Sequence, residues 1–239
     1  KFGKTSGMFY KSQLWLERQT YKHCKFAFVT NKSYKKIAIE RGGMKPEDVF
    51  VLRSGPKLER LKIQEPKNEI KRGKKFMVGY LGVIGQQEGI EYLLKAAKYI
   101  KELPGRNDVF WGIVGGGPDV EHMKKLSHDM GLDDIVEFTG RVPDQTLLDY
   151  LNTADVCVNS DEYNAMNDKS TMNKVLEYMA LGKPLVQFDL TEGRYSAQEA
   201  SLYAKRNDAE DMAKKILELL DNPEKRKQMG EYGRNRVIN

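Results

Sequence analysis

The 239-residue sequence contains only two cysteines and three histidines. Cys24 and Cys157 stand alone, without the paired spacing of a disulfide framework, a redox motif or a zinc site. His122 and His128 are six residues apart and so fall on different faces of a helix, which argues against a histidine metal pair. The sequence therefore predicts neither a metal nor a disulfide scaffold, and it favours a reducing, cytoplasmic setting.

Long apolar runs are also absent, although 40% of the residues are hydrophobic, enough for a sizeable core. No run approaches the ~20 residues that a membrane-spanning helix requires. Residues 1–4 are not followed by the apolar segment of a signal peptide. Because the sequence also begins without Met, we expect a fragment or a processed chain.

Charge is unevenly distributed along the chain. Residues 1–75 contain 20 Lys and Arg but only 7 Asp and Glu, whereas residues 76–239 contain 20 against 27. A basic segment of this kind predicts an anionic neighbour, such as a membrane surface or a lipid pyrophosphate, with a solvated surface as the alternative. No recognition motif for nucleic acid accompanies the charge. We therefore expect a cytoplasmic protein that can lie peripherally at the inner face of the membrane, without nucleic acid as a partner.

From Lys75 onward, apolar strands alternate with amphipathic helices. Strands are predicted at 76–81, 108–114, 135–138, 154–158, 185–188 and 201–204. Helices are predicted at 89–103, up to Met130, at 144–152, at 208–220 and at 223–236, besides the central helix described next. This alternation with short loops predicts an α/β fold with a doubly wound parallel sheet. Residues 1–74, with predicted helices at 8–24 and 33–41 and strands at 26–29 and 48–52, form a separate segment with a charged linker.

The most informative stretch spans residues 167–189. Ser170 and Thr171 are residue types that begin helices, and Gly182 and Pro184 end them. An apolar stripe at helical spacing lies between, formed by Met172, Val175, Leu176 and Met179. A helix N-terminus attracts phosphate, and Glu177, one turn further in, can accept hydrogen bonds from sugar hydroxyls. We therefore predict a loop and helix that hold both ends of a nucleotide diphosphate; the alternative is an ordinary amphipathic helix capped by Ser170.

This stretch resembles the donor-binding segment of the family 4 retaining glycosyltransferases, which have the GT-B fold. In that family an acidic residue precedes a helix that carries a second Glu, followed by Gly-x-Pro and a strand. Glu177 matches the second Glu, whereas Lys169 stands at the first position and the adjacent Asp168 is its stand-in. The run Asn-Asp-x-Ser-Thr-Met-Asn-Lys-x-x-Glu-Tyr-Met is similar to a bacterial surface-polysaccharide subgroup.

The resemblance implies the organisation of the chain. Residues 75–239 correspond to the C-terminal, Rossmann-like nucleotide-sugar-binding domain of the GT-B fold. Residues 1–74 correspond to the tail of the N-terminal acceptor domain and the linker. Most of the acceptor domain would then lie outside this sequence, and residues 1–55 would pack either on the second domain or on another chain.

Four loops fall at the carboxyl ends of the predicted strands, where open parallel sheets bind ligands. They are residues 82–88, 115–118, 140–143 and 159–171. Gly82 and Gly85 let the backbone approach a phosphate. In many relatives this first loop carries an Arg and a Lys that neutralise the diphosphate, but Val83 and Glu88 occupy those positions here.

The other loops contribute further candidate residues. The resemblance implies that the turn of Gly115, Gly116 and Gly117 lies near the nucleotide and that the backbone of Val142 contacts the base. Asp161 and Glu162 are paired acids on the ligand side, for which we expect a solvated surface rather than a metal or sugar ligand.

The resemblance implies transfer of a sugar from a nucleotide diphosphate-sugar to a glycan or lipid-linked acceptor, with retention at the anomeric carbon. Lys174 is the candidate cation for the leaving diphosphate, or it pairs with Glu177 at i,i+3. The N–H groups of Ser170, Thr171 and Met172 would face the phosphate. Asn173 shares the polar face of the helix with Lys174 and Glu177, and Glu177 would hold the ribose. No cofactor and no metal are needed for this chemistry.

Two other functions stay open at this point. One is a non-catalytic nucleotide- or glycan-binding module. The other is a GT-B-like sugar-nucleotide epimerase, which requires catalytic carboxylates and a histidine in the cleft. An NAD-binding domain is disfavoured, because the three glycines at 115–117 lack the G-x-G-x-x-G spacing.

Overall fold

The computed structural model describes residues 6–239, so the residues 1–4 of the signal-peptide prediction lie outside it. The chain forms two compact units. Unit 1 comprises the described residues 6–54 together with Lys169–Thr171, and unit 2 comprises residues 55–168 and 172–239. The division falls after Ser54, whereas the sequence predicts it after Lys74.

Unit 1 is built from two helices and two parallel strands. They are α1 (Met8–His23), β1 (Ala27–Val29), α2 (Lys32–Glu40) and β2 (Val49–Val51). A small core contains Ala38, Met44 and Val49. Phe28 and Phe50 are opposite each other in the register, and their rings stack with centroids 5.6 Å apart. Phe28 is 70% exposed, so this face of the strand pair presents aromatic surface to solvent.

Unit 2 contains a six-stranded, fully parallel sheet. Its strands are β3 (Phe76–Leu81), β4 (Val109–Val114), β5 (Val136–Gly140), β6 (Val156–Asn159), β7 (Leu185–Phe188) and β8 (Ser201–Ala204). Their spatial order is β5-β4-β3-β6-β7-β8, which confirms the predicted doubly wound sheet. The strand order reverses between β3 and β6, and we call the carboxyl ends of these two strands the switch point. Ligands of open α/β sheets bind at such a position.

Seven helices cover the two faces of this sheet within the described residues. They are α3 (Ile90–Glu102), α4 (Val120–Asp129), α5 (Asp144–Thr153), α6 (Asn173–Ala180), α7 (Thr191–Ala197), α8 (Ala209–Leu220) and α9 (Pro223–Ile238). Successive residues of a strand pack into two separate cores, one on each face of the sheet. In β3, for example, Met77 belongs to one core and Val78 to the other. Burial on both faces explains why the strands are apolar almost throughout.

Three details differ from the sequence prediction. Helix α7 was not expected, because its segment Thr-Glu-Gly-Arg-Tyr-Ser-Ala carries little apolar periodicity. Strand β6 begins at Val156 rather than at residue 154. Within the predicted linker, Leu61 is only 4% exposed and belongs to the core of unit 2.

Among residues 6–239, every helix is too short or too polar to cross a lipid bilayer.

Candidate functional site

The loops that follow β3, β4 and β5 pack backbone against backbone. A Cβ atom on Gly115, where φ is +138°, would lie 1.8 Å from the Gly82 carbonyl oxygen. One on Gly117 would lie 2.2 Å from the carbonyl oxygen of Ile84. Gly115 N–H in turn donates to Gly140 O at 3.1 Å. Close contact between these loops therefore requires the glycines, independently of any ligand.

The other residues predicted in these loops are Gly85, Gly116 and Val142, and their surroundings differ. A Cβ on Gly116 would approach Arg141 Cγ to 3.2 Å, whereas one on Gly85 would meet only Glu88 Oε1, at 3.9 Å. Val142 packs against the core between the sheet and helices α5 and α6. Of the two glycines in the first loop, Gly85 thus has more room beside its backbone than Gly82.

The first loop is also joined to the loop that follows β6. Ser160 Oγ donates to Glu88 O at 2.8 Å, and Asn167 Nδ2 donates to Gln87 O at 2.9 Å. A Cβ on Gly89 would lie 2.0 Å from Ser160 O, so the two loops are in direct backbone contact. The structure therefore brings the first three predicted loops and residues 159–168 of the fourth to one edge of the sheet.

Lys174, the candidate cation, reaches into the switch point. Its Nζ lies 3.0 Å from Asp161 Oδ1 and 3.2 Å from the hydroxyl oxygen of Tyr80. The Tyr80 hydroxyl donates onward to Val83 O at 3.0 Å. A Cβ on Gly82 would lie 3.3 Å from Lys174 Cε, so the lysine side chain runs alongside the first loop. The expected alternative, a pair between Lys174 and Glu177, is wrong.

The surroundings keep this ammonium group protonated. Burial by itself lowers the pKa of Lys174, but the Asp161 carboxylate and the Tyr80 hydroxyl raise it, and the net pKa is above the ordinary value. Asp161 is fully buried, so the expectation that it lies on a solvated surface is wrong. It follows β6 directly, and the end of a buried strand places it inside the loop cluster.

Helix α6 begins later than the sequence predicts. Its first residue is Asn173 and its N-cap is Met172, with no side chain capping it. Ser170 and Thr171 lie in unit 1, where Tyr34 OH is 2.9 Å from Ser170 Oγ and Asn31 Nδ2 donates to Thr171 Oγ1 at 3.0 Å. The predicted capping by Ser170 or Thr171 is therefore wrong.

This shift changes which amides lie at the helix start. The first turn of a helix leaves its N–H groups without intrahelical acceptors. In α6 those groups begin with Asn173 and Lys174, while Val175 N–H already donates to Met172 O at 3.2 Å. The free amides in the first turn of α6 therefore begin at Asn173, and a contact of the Ser170, Thr171 and Met172 N–H groups with a phosphate stays a prediction.

Asp168, the stand-in for the first acidic residue of the family motif, is engaged within unit 2. Its carboxylate accepts from Thr191 N–H at 2.9 Å and from Thr191 Oγ1 at 3.0 Å. Arg206 lies 3.7 Å from the same group. These contacts tie the fourth loop to the start of α7, and a contact with the donor stays a prediction.

Glu177 lies one turn after the start of α6, beside a cavity of about 210 Å³. The cavity is lined by Gly55, Pro56, Lys57, Arg60, Leu61, Asn173 and Glu177. Arg60 is fixed there by two hydrogen bonds of 2.7 Å to Asp144. Ligand pockets usually measure about 300–1,000 Å³, so this cavity fits one sugar-sized group of a larger ligand.

The Glu177 carboxylate makes no hydrogen bond or ion pair with the part of the chain that the structure describes. Burial raises the pKa of Glu177, Arg60 lowers it and Asp144 raises it again, with a net increase. A half-buried carboxylate without a protein donor is a suitable acceptor for hydroxyl groups of a ligand.

Sequence reasoning did not consider Tyr80, gave Glu88 no role and assigned Asp161 to a solvated surface. A signal was present, because Tyr80 lies at the carboxyl end of β3, Glu88 lies in the loop that follows β3, and Asp161 lies just after β6. Their meeting depends on β3 and β6 being neighbours, which the order of strands along the chain does not reveal. Across residues 6–239, no three His, Cys, Asp or Glu side chains are grouped so as to hold a metal ion.

Known proteins resemble this chain in sequence and in fold. Residues 62–236 match the family described as glycosyl transferases group 1. An uncharacterized glycosyltransferase from Haemophilus influenzae is 28% identical over 173 residues, covering 71% of this chain and 46% of the relative. The alpha-D-kanosaminyltransferase of Streptomyces kanamyceticus is 28% identical over 158 residues, covering 65% and 39%. The chain thus spans less than half the length of either relative.

Among solved structures, Anabaena HepE in complex with UDP superposes with a TM-score of 0.80 at 15% sequence identity. The superposition covers 96% of this chain and 64% of that protein. The six-stranded parallel sheet and the family match agree: the chain belongs to the glycosyl transferases group 1 family and has the α/β fold of GT-B glycosyltransferases.

Proposed function

We propose that unit 2 binds the diphosphate of a nucleotide-sugar donor at the switch point. We further propose that the whole protein transfers the sugar, with retention, to a glycan or lipid-linked acceptor, as the family 4 enzymes of bacterial surface polysaccharides do. The observation that carries the proposal is the position of Lys174. Its ammonium group lies at the switch point, beside Gly82 and in the first turn of α6.

Each residue then has a distinct task. The Asn173 and Lys174 N–H groups and the positive end of α6 attract the phosphates. The Lys174 ammonium stabilises the charge that develops on the leaving diphosphate. Glu177 lies four residues after Asn173, about 6 Å further along the helix axis at 1.5 Å per residue, where its carboxylate accepts from the ribose hydroxyls. Fixing both ends of the donor positions the anomeric carbon for transfer.

The epimerase alternative has less support. Such an enzyme needs a histidine in the cleft, but His122 and His128 lie on α4 with side chains 67% and 74% exposed. His23 lies at the end of α1, in unit 1. A non-catalytic binding module would use the same donor contacts as a transferase, so donor binding alone does not separate these two functions.

Calorimetric titration of the 239-residue chain tests the proposal. UDP, GDP, dTDP and their sugar conjugates form the panel, with the matching nucleoside monophosphates as controls. We expect one diphosphate series to bind and the corresponding monophosphate to bind at least tenfold more weakly, because Lys174 and the helix end act on the distal phosphate. Failure of the entire panel to bind would contradict the proposal.

We also propose that unit 1 brings the longer protein to anionic membrane surfaces. The basic stretch of residues 1–75 includes residues 6–54 of unit 1, where the exposed Phe50 ring contacts the exposed rings of Phe26 and Phe28. Lys25 Nζ lies 5.4 Å from the centre of the Phe26 ring. Cationic and aromatic side chains together suit a lipid interface.

A further inference from the structure

Two carboxyl groups face a single ammonium group at the switch point. Asp161 Oδ1 accepts from Lys174 Nζ at 3.0 Å, but the buried Oδ2 has no donor among the described residues. Glu88 ends the short 3-10 turn Gln86–Glu88, and a side-chain hydrogen bond with Asp161 is among the causes that raise the pKa of Glu88. Since ionised carboxylates only accept hydrogen bonds, a proton on Glu88 would supply the Asp161 carboxylate with a second donor besides Lys174.

The backbone holds these two groups together. Ser160 Oγ donates to the carbonyl of Glu88 itself, at 2.8 Å, and Glu162 N–H donates to Gln87 O at 3.3 Å. The contact of Gly89 with Ser160 O leaves no room for a side chain between the loops. The backbones that carry Glu88 and Asp161 therefore cannot move apart without breaking the contact between two loops of the site.

Charge then decides the protonation state. With both carboxylates ionised, the cluster of Glu88, Asp161 and Lys174 carries a net charge of minus one and repels a phosphate. Tyr80 adds no charge, since burial raises its pKa to about 12. Burial also raises the pKa of Glu88, Lys174 lowers it and Asp161 raises it further, to about 7. One proton on Glu88 makes the cluster neutral.

We propose that Glu88 and Asp161 share one proton and that the bound diphosphate requires this proton to stay. The inference rests on the proposed function, because it needs the diphosphate beside Lys174. A bound anion favours the protonated form of Glu88, so by linkage the proton favours the anion. Donor binding then takes up a proton from solution once the free protein has lost it, above about pH 7. The affinity declines by about tenfold for each further pH unit, as linkage to one proton requires.

Calorimetry at several pH values tests the linkage. A nucleotide diphosphate-sugar is the probe, because its phosphates are diesters without the second ionisation near pH 6 of a terminal phosphate. Titrations in two buffers of different protonation enthalpy give the number of protons taken up. We expect this number to approach one at alkaline pH for the unmodified chain. Glu88→Gln should abolish the uptake and make the affinity independent of pH, since an amide supplies the donor to Asp161 permanently.

Glu91→Gln is the matched control, because it removes the same charge from an exposed side chain on α3 that pairs with Lys95. It should keep the pH dependence of the unmodified chain. Binding of the unmodified chain without proton uptake, or with the same pH slope in Glu88→Gln, would overturn the proposal.

A measurement without nucleotide separates this inference from the proposed function. Carbon NMR of the Glu88 carboxyl group in the free chain should show titration near pH 7, and Asp161→Asn should move it downward, because the Asp161 charge is lost and Lys174 remains. Titration of Glu88 at its ordinary value of 4.5 would refute the shared proton even if nucleotides bind. Titration near 7 without any nucleotide binding would leave the shared proton supported and refute the donor site.

Discussion

Lys174 Nζ lies 3.0 Å from Asp161 Oδ1, and this ion pair joins helix α6 to the loop that follows β6. The Asp161 side chain is fully buried and that of Lys174 is 12% exposed, so water screens the pair weakly. The pair lies at the switch point, where the strand order of the sheet reverses. The Lys174 ammonium group is therefore close to both the start of α6 and the first loop. Under the proposed function, the same pair affects both stability and anion binding.

Replacing Lys174 by Met should separate these two effects. The single substitution strands a buried carboxylate, which costs about 3–5 kcal/mol of unfolding free energy. The double substitution Lys174→Met with Asp161→Asn should regain most of that stability, because both charges of the buried pair are removed together. Both variants should bind a nucleotide diphosphate at least tenfold more weakly than the unmodified chain.

Denaturant unfolding and calorimetry of the same samples measure the two quantities. Lys95→Met, which removes an exposed lysine of α3, is the control and should change neither. A stable double variant with unchanged affinity would show that Lys174 has a structural role only.

The raised pKa of Glu88 predicts a pH-dependent stability. The pKa is about 7 in the folded protein against an ordinary 4.5, so between these values the folded state binds more protons than the unfolded state. Stability from this group is complete below pH 4.5 and falls as the pH rises toward 7. Glu88→Gln removes this loss of stability at high pH. The melting temperature of the variant should therefore exceed that of the unmodified chain at about pH 8 and equal it near pH 4.5, the ordinary pKa of a Glu side chain.

Thermal melts across this pH range check the prediction, with Glu91→Gln as the variant of equal charge. The difference between the two variants should grow with pH. A difference that is constant from acid to alkaline pH would contradict the assignment.

Most of the fold could be predicted because local patterns determine it. The strands of unit 2 are continuous apolar runs, and glycines or prolines mark their ends, as at Gly115 and Pro184. Helix α7 escaped prediction because Glu192, Gly193 and Ser196 are buried polar or small residues without an apolar stripe. Burial here follows from the position of α7 beside the sheet and not from its composition.

The site was less predictable than the fold. Glu177 could be named as a candidate because the motif around it is local in sequence. The start of α6 was predicted too early, because Ser170 and Thr171 are residue types that often cap helices. Asp161 and Lys174 are thirteen residues apart in sequence, and their pairing depends on how the fourth loop folds back. Paired acids near a loop usually lie in solvent, and only the enclosure of the end of β6 makes Asp161 an exception.

The proposed membrane attachment predicts salt-sensitive binding to lipid. The 239-residue chain should sediment with vesicles that contain an anionic lipid and not with neutral vesicles. Each well-placed Lys or Arg contributes about 1 kcal/mol, and raising the salt toward about 1 M shortens the screening length to about 3 Å and should release the chain.

A double variant of unit 1 and a matched double variant of unit 2 sharpen this test. Lys25→Glu combined with Lys35→Glu should weaken vesicle binding, whereas the same change at two lysines of α8 in unit 2, Lys214 and Lys215, should leave it unaltered. Vesicle binding that does not depend on lipid charge or on salt would contradict the proposed membrane attachment.

We expect the 239-residue chain to bind a donor without appreciable transfer. It spans 46% and 39% of the two relatives, so residues that bind the acceptor in longer proteins can lie outside it. Donor consumption with a glycan acceptor should stay near the uncatalysed level while nucleotide binding is measurable. Turnover comparable with that of a full-length relative would show that this chain contains a complete active site.

The sharpest prediction concerns Glu177. Charge-assisted hydrogen bonds from two ribose hydroxyls to one carboxylate are worth about 1.5–3 kcal/mol, and ~1.4 kcal/mol corresponds to a tenfold change in affinity. Glu177→Gln keeps the size of the side chain but removes the charge and one acceptor. Nucleotide binding should therefore weaken about tenfold or more.

The same substitution should not lower the thermal stability of the folded state. Burial raises the pKa of Glu177, so the folded protein disfavours the ionised form, and a neutral Gln removes that cost at neutral pH. The melting temperature of Glu177→Gln should thus be equal to or above that of the unmodified chain, while Glu199→Gln, an exposed control, should alter neither property. If Glu177 were instead a structural partner, the variant would melt at a lower temperature and keep its affinity. Melting and calorimetric titration of the same variant decide between the two, because the donor site predicts weaker binding without a lower melting temperature, and the structural role predicts a lower melting temperature with unchanged binding.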